Sequence, residues 1–259
     1  MYSFLHELLR DKKGGEIFTL FGAWHFLYIV LTIAIIAAIL ILKKRKSAVF
    51  MEKAIKFFIG LAFGLYVLDM FLMPIAYGEI DIEKLPFHAC TAMCITCFLS
   101  YHVHFLEKYR FSFVLLGLIS NAVYLIYPAG VMWHAVSPIS YRVIQTLVFH
   151  SVMSIYGILF LVKEYRSVEI KKCYRDLTVV CLMVLWAMIG NYSYNGASGE
   201  YSHFFNWFFV VRDPFYILHE SISPYVMPII NIIIFFGVEM IIHTIIYLAQ
   251  KNQKRDIVL

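Results

Sequence analysis

Long apolar runs, broken by short charged clusters, dominate the chain. No strand-like alternation of apolar and polar positions interrupts them. A helix that crosses a membrane needs about 20 apolar residues. Seven stretches reach that length: Trp24–Leu42, Ala54–Tyr77, Leu85–Phe105, Phe111–Met132, Ile144–Val162, Asp176–Tyr194 and Pro224–Leu248. The sixth has a polar end, "GNYSYNG". The pattern predicts an all-α polytopic membrane protein with seven transmembrane helices. It forms one integral membrane domain over residues 1–259, with no internal repeat, low-complexity tract or separate soluble domain.

The charges then orient it. Placing the N-terminus outside puts 15 Lys and Arg residues on the inner connections and tail and 6 on the outer ones. Basic residues favour the cytoplasmic side, so the expected topology is N-out/C-in. The net charge of +5 is thereby a topology signal rather than a sign of an acidic partner. Composition agrees: 61% of residues are hydrophobic, 15% are charged and the mean hydropathy is +0.76, against about 25% charged in a soluble domain. No cleavable leader is expected before Trp24. The five cysteines lie in or beside spans and predict no disulfide framework.

In this topology polar side chains gather in the outer halves of the spans: His25, Asp69, His88, Cys90 and Thr91, Asn121, His150, Asn191 and Asn231. The outer connection before the last span adds Arg212 and Asp213 in "RDPFY", where a guanidinium could meet a phosphate or carboxylate. Ionisable groups inside a span usually mark function, although Asn, Thr and His also join helices by hydrogen bonds. The gathering suggests a polar chamber open to the outer side. In the inner half Glu239 and His243 stand i,i+4 and could pair.

Helical spacing narrows the chemistry. His88 and Thr91 share a face, whereas Cys90, Cys94 and Cys97 form a separate stripe that reads as packing. No Cys/His spacing suggests a metal, and no cofactor motif occurs. Nucleic-acid binding has no support. His150 is the best general-base candidate, because imidazole as a class titrates near neutrality. Thr91 and Cys90 are both candidate nucleophiles, and each needs activation by a base.

Four motifs in order carry a resemblance. "FGAWHF" opens the first span, "LPFHAC" the third, "LISNAVYLIYP" lies in the fourth and "QTLVFHSVMSIYGILFLV" in the fifth. Together they resemble the YwaF-like bacterial membrane proteins, a family similar to the eukaryotic transmembrane protein 164 family, to which "DPFY" at 213–216 adds a link. The resemblance implies a bacterial cell-membrane protein that performs acyl transfer on phospholipids, with His88 and His150 as the family's two histidines. The eukaryotic members place a catalytic cysteine just before the first histidine, where this chain has Phe87.

The leading expectation is therefore a membrane lipid acyltransferase or acyl hydrolase. Its partner is a phospholipid or acyl chain, its base His150, and its nucleophile Thr91 or Cys90. His88, Asn121 and Asn231 would orient the base or stabilise an oxyanion. His25, Asp69, Asn191, Arg212 and Asp213 complete the substrate-binding set. A proton-coupled transporter using Asp69, His25, His88 and His150 is the rival. A non-enzymatic seven-helix receptor or scaffold is the third possibility.

Overall fold

A computed structural model describes residue 9 and residues 16–45, 48–78, 82–128, 131, 135–195, 205–214, 217–219 and 221–256. Phe215 and Tyr216 of "DPFY" lie outside the described residues. The helices are α1 (Ala23–Lys43), α2 (Ala48–Tyr77), α3 (Ala89–Leu99), α4 (His104–Glu107), α5 (Arg110–Ile126), α6 (Tyr141–Glu164), α7 (Tyr174–Asn195) and α8 (Ser223–Asp256). Short 3₁₀ turns occupy Ile82–Lys84, Ile170–Lys172 and Trp207–Phe209. Among the described residues there is no strand.

Five helical segments are long and apolar enough to cross a membrane: Ala23–Lys43, Val49–Ile75, Tyr141–Glu164, Ile170–Asn195 and Ser223–Asn252. Their outer faces carry exposed Val30, Ile33, Phe57, Phe71, Leu182, Ile233 and Ile241. Apolar surface of this extent marks a membrane-facing protein. Two further apolar helices, α3 and α5, are shorter.

The third apolar stretch departs from the expected helix over Leu85–Phe105. Its helix α3 has 11 residues, about 16 Å at 1.5 Å per residue, against a hydrocarbon core of about 30 Å. The chain turns at Ser100–Val103. Arg110 holds that turn, giving its guanidinium to the Ser100 carbonyl and hydroxyl and lying 4.2 Å over the Tyr101 ring. A cation on the terminal carbonyls is a favourable end for a helix. Helix α5 likewise stops at Ile126, two residues before Pro128, since a residue preceding proline is biased away from the helical region.

The chain divides into two compact units. The first comprises residues 1–84 and 117–161, the second residues 85–116 and 162–259. In the first unit Phe18, Leu125, Val131, Val136, Val143 and Leu147 form a buried core, with Trp24, Tyr28 and Ile29 packed on it. Helix α6 is buried on nearly every side from Val143 to Phe160, the pattern of an all-round apolar helix inside a bundle. Gly157 admits Leu118 of α5, whose Cβ would lie 2.8 Å from a β-carbon at that position. In the second unit α7 packs along α8. The 205–209 segment folds against them, with Trp207 and Phe208 buried.

Candidate functional site

In the first unit His150 is 6% exposed. Tyr124 of α5 stacks on its imidazole at 4.0 Å between centroids and 16° between planes, and Phe149 meets it edge-on. Its Nδ1 lies 2.7 Å from Asn121 Oδ1. The Asn121 amide has a fixed sense, because its Nδ2 donates to the Gly117 carbonyl at 2.7 Å. Oδ1 is therefore the atom presented to the ring, and an oxygen can only accept. Nδ1 must carry the hydrogen, so Nε2 is the nitrogen that bears the lone pair whenever the ring is neutral. A third group that orients a histidine and fixes its tautomer is the recurring design of general bases.

His25 is fully buried, and both its nitrogens are bonded. Nδ1 accepts from the Phe21 N–H at 3.0 Å, so Nε2 is the donor to the Leu125 carbonyl at 2.8 Å. The Phe21 backbone reaches this position with φ +55°, a strained left-handed conformation for a non-glycine residue. Its ring also stacks on the imidazole at 5.5 Å. His25 thus ties the entrance of α1 to the end of α5.

Asp69 is 2% exposed. Lys84 Nζ pairs with its Oδ2 at 3.0 Å, and Tyr141 donates to its Oδ1 at 2.9 Å. Lys84 also reaches Gln145 Oε1 at 3.4 Å, an oxygen shared with the Thr146 hydroxyl. The sequence does not single out Lys84, Tyr141, Gln145 or Tyr124 as site residues. Lys84 alone has a visible signal: a carboxylate inside a span calls for a cation, and the connection after α2 holds a single lysine.

The second unit contains His88, Cys90 and Thr91. His88 is the N-cap of α3, with extended backbone (φ −80°, ψ 143°). Its carbonyl accepts from Ala92 N at 2.9 Å and from Thr91 Oγ1 at 3.1 Å. Cys90 is half-buried and is not part of a disulfide. Phe87 packs against Trp186, Trp207 and Tyr194 at 4.9–6.1 Å, and Trp186 Nε1 donates to the Pro86 carbonyl. Gly190 makes room for it, because a β-carbon there would stand 2.4 Å from Phe87 Cγ. In "LPFHAC", then, Pro86 and Phe87 anchor the segment while His88 starts the helix.

Asn191 and Asn231 both bond to the backbone of the 205–209 segment. Asn191 Nδ2 donates to Trp207 O, and its Oδ1 accepts from Trp207 N, each at 3.0 Å. Asn195 makes the same reciprocal pair with Phe205. Asn231 Nδ2 donates to Phe208 O and Phe209 O. Three carboxamides thus act as a substitute strand edge, satisfying main-chain groups that no sheet or helix ladder serves. They hold Phe208 and Phe209 at φ +56° and +53°. Asn206 closes the next turn through Val211 N, Arg212 N and Arg212 O. Asp213 Oδ2 accepts from Ile217 N and Leu218 N, and Asp213 N donates to Ser223 Oγ.

Glu239 and His243 do not pair as their spacing suggested. His243 Nε2 turns to Asp176 Oδ2 of α7, 2.6 Å away. Among the described residues no group of three His, Cys, Asp or Glu side chains is arranged to hold a metal ion. No family model matches the chain, nor does any curated protein or solved structure.

Proposed function

We propose that the protein is an integral membrane enzyme of the acyl-transfer class, a phospholipid acyltransferase or acyl hydrolase, with His150 as its general base. One observation carries the reading: Asn121, locked by Gly117, commits His150 Nδ1 to donation, so that in the neutral ring Nε2 is the basic nitrogen. The chemistry follows from that tautomer. Nε2 takes the proton of a hydroxyl, thiol or water as that group attacks an ester carbonyl, and the ring returns it to the leaving alcohol. The resemblance of the span motifs to the YwaF-like and transmembrane protein 164 families supports the same class. The sequence offers Thr91 and Cys90 as candidate nucleophiles, and both belong to the second unit rather than to that of His150. Seven spans, N-out/C-in, remain the proposed topology, and a bacterial cell membrane the proposed location.

The test is turnover. Purified protein in phospholipid vesicles is incubated with lipids carrying an isotope-labelled acyl chain, and free fatty acid, lysolipid and re-acylated lipid are separated by mass spectrometry. Labelled product is expected from the wild type. His150→Ala should lower it by about 10²-fold or more, the usual range for loss of a general base. Equal turnover in wild type and His150→Ala would end the proposal. Substrate accumulation inside the vesicles without acyl cleavage would favour proton-coupled transport.

A further inference from the structure

Asp176 of α7 and Glu239 and His243 of α8 are 1%, 0% and 3% exposed, and all three belong to the second unit. Asp176 and His243 share the one hydrogen bond described above. The remaining capacity of the cluster is unused. Asp176 Oδ1, His243 Nδ1 and both carboxyl oxygens of Glu239 are buried without a hydrogen-bond partner. Asp176 is close enough to act electrostatically on Glu239, and His243 stands one turn away from it on the same face. Phe111 covers the His243 ring at 5.4 Å.

Among the described residues, the cations on the elements that pack here are engaged elsewhere. Arg175 donates to the Lys108 carbonyl, Lys172 pairs with Glu169, Lys171 acts on Glu169, and Arg110 serves Ser100. Two carboxyls and one imidazole therefore share one buried place, with at most one cation among them. Buried polar atoms are almost always satisfied, and a charge taken out of water is retained only when paired. Four unsatisfied atoms on titratable groups call for a ligand that is small enough to fit without displacing the packing and can be shared between acids.

We propose that Asp176, Glu239 and His243 form a buried proton-binding site, in which one exchangeable proton is held on Glu239 and communicates with the Asp176–His243 pair. The site does not involve His150 and stands whether or not the acyl-transfer reading does. Two experiments on the full-length protein in vesicles test it. Dicyclohexylcarbodiimide reacts with carboxylic acids in their protonated form. The acid O–H adds across a C=N bond, its proton going to nitrogen and its oxygen to carbon, and the acyl group then migrates to nitrogen as a stable N-acylurea. Peptide mass spectrometry across a pH series should place that adduct on Glu239. Its yield should fall as pH rises, with a midpoint displaced by about one pH unit in Asp176→Asn and in His243→Ala, in opposite directions. Opposite signs are expected because the first change removes a like charge and the second removes the partner of that charge.

Infrared titration needs no reagent to enter the protein. It should show a carboxylic-acid carbonyl band that Glu239→Gln abolishes, in a variant that melts like the wild type. A midpoint unmoved in both neighbouring variants would overturn the proposal, as would the absence of a Glu239-dependent carbonyl band at every pH.

Discussion

Replacing Asn191 by leucine keeps the volume of the side chain and removes every polar contact it makes. Those contacts are the two reciprocal bonds to Trp207 N and O and a bond to the Ala187 carbonyl. The Ala187 carbonyl keeps its place in the helix ladder, so the loss falls on Trp207. That residue is 1% exposed, and water does not reach its main chain. A buried donor or acceptor left unsatisfied costs about 1–3 kcal/mol, so two cost about 2–6 kcal/mol. Leucine is a better helix former than asparagine by roughly 0.5 kcal/mol, which offsets little. The net expectation is a destabilisation of about 2–5 kcal/mol. A different limit is set by interhelical bonds in membranes, where alternative partners reduce each contribution to about 0.6 kcal/mol. The two limits are separable by reversible unfolding in mixed micelles with increasing denaturing detergent, followed by tryptophan fluorescence. Asn191→Asp retains an acceptor for Trp207 N but sets an oxygen against the Trp207 and Ala187 carbonyls in a fully buried site, so it should not recover wild-type stability. A loss below about 1 kcal/mol in Asn191→Leu, on the scale of the bonds just compared, would refute the idea that this asparagine holds the segment.

Three further outcomes are expected. Gly190→Ala drives a methyl into the Phe87 ring. It should destabilise by about 1–3 kcal/mol and be partly rescued by Phe87→Leu in a double-mutant cycle. Lys84→Met strands the buried Asp69 carboxylate. The cost should stay below the about 3–5 kcal/mol of a fully buried pair, because Lys84 keeps 22% side-chain exposure, and Asp69→Asn should recover part of it in the double variant. In the connection before α7, Lys172 hydrogen-bonds Glu169 and holds its carboxyl below the ordinary range. The folded value lies below the unfolded one, so this contact supports the turn above the unfolded pKa and is lost as pH falls through the folded one. Carbon-13 titration of Glu169 should show its midpoint rising in Lys172→Met.

Hydropathy located the long helices well, because α1, α2, α6, α7 and α8 each contain an apolar run of span length. It misjudged the stretch after Lys84, where the helix ends at Leu99, because a turn inside an apolar run leaves no mark on a hydropathy profile. Ser100–Val103 turns through bonds from Arg110, a residue the sequence shows only as a charge beyond the run. The polar positions were also legible. His25, Asp69, Asn121, His150, Asn191, Asp213 and Asn231 are all buried, as a polar residue in an apolar segment must be when it has a partner. Their partners were not legible. Leu125 O lies 100 residues from His25, and Tyr141 lies 72 from Asp69. Asn121 and His150 were each singled out by type and depth, but the sense of the Asn121 amide depends on a helical carbonyl, which only coordinates reveal. The Glu239–His243 spacing suggested a local pair, whereas the helix packing offered His243 a carboxylate from α7 instead.

The proposed chemistry depends on His150 activating a nucleophile. The most direct measurement is intact-protein mass spectrometry after treatment with a lipid-like fluorophosphonate or sulfonyl fluoride, comparing wild type with His150→Ala, Asn121→Leu, Cys90→Ala and Thr91→Val. One covalent adduct is expected in the wild type. That adduct should be absent in His150→Ala and in one of the two nucleophile variants, and slowed in Asn121→Leu. An adduct that forms at the same rate in His150→Ala, in protein that retains its fold, would contradict the proposed chemistry.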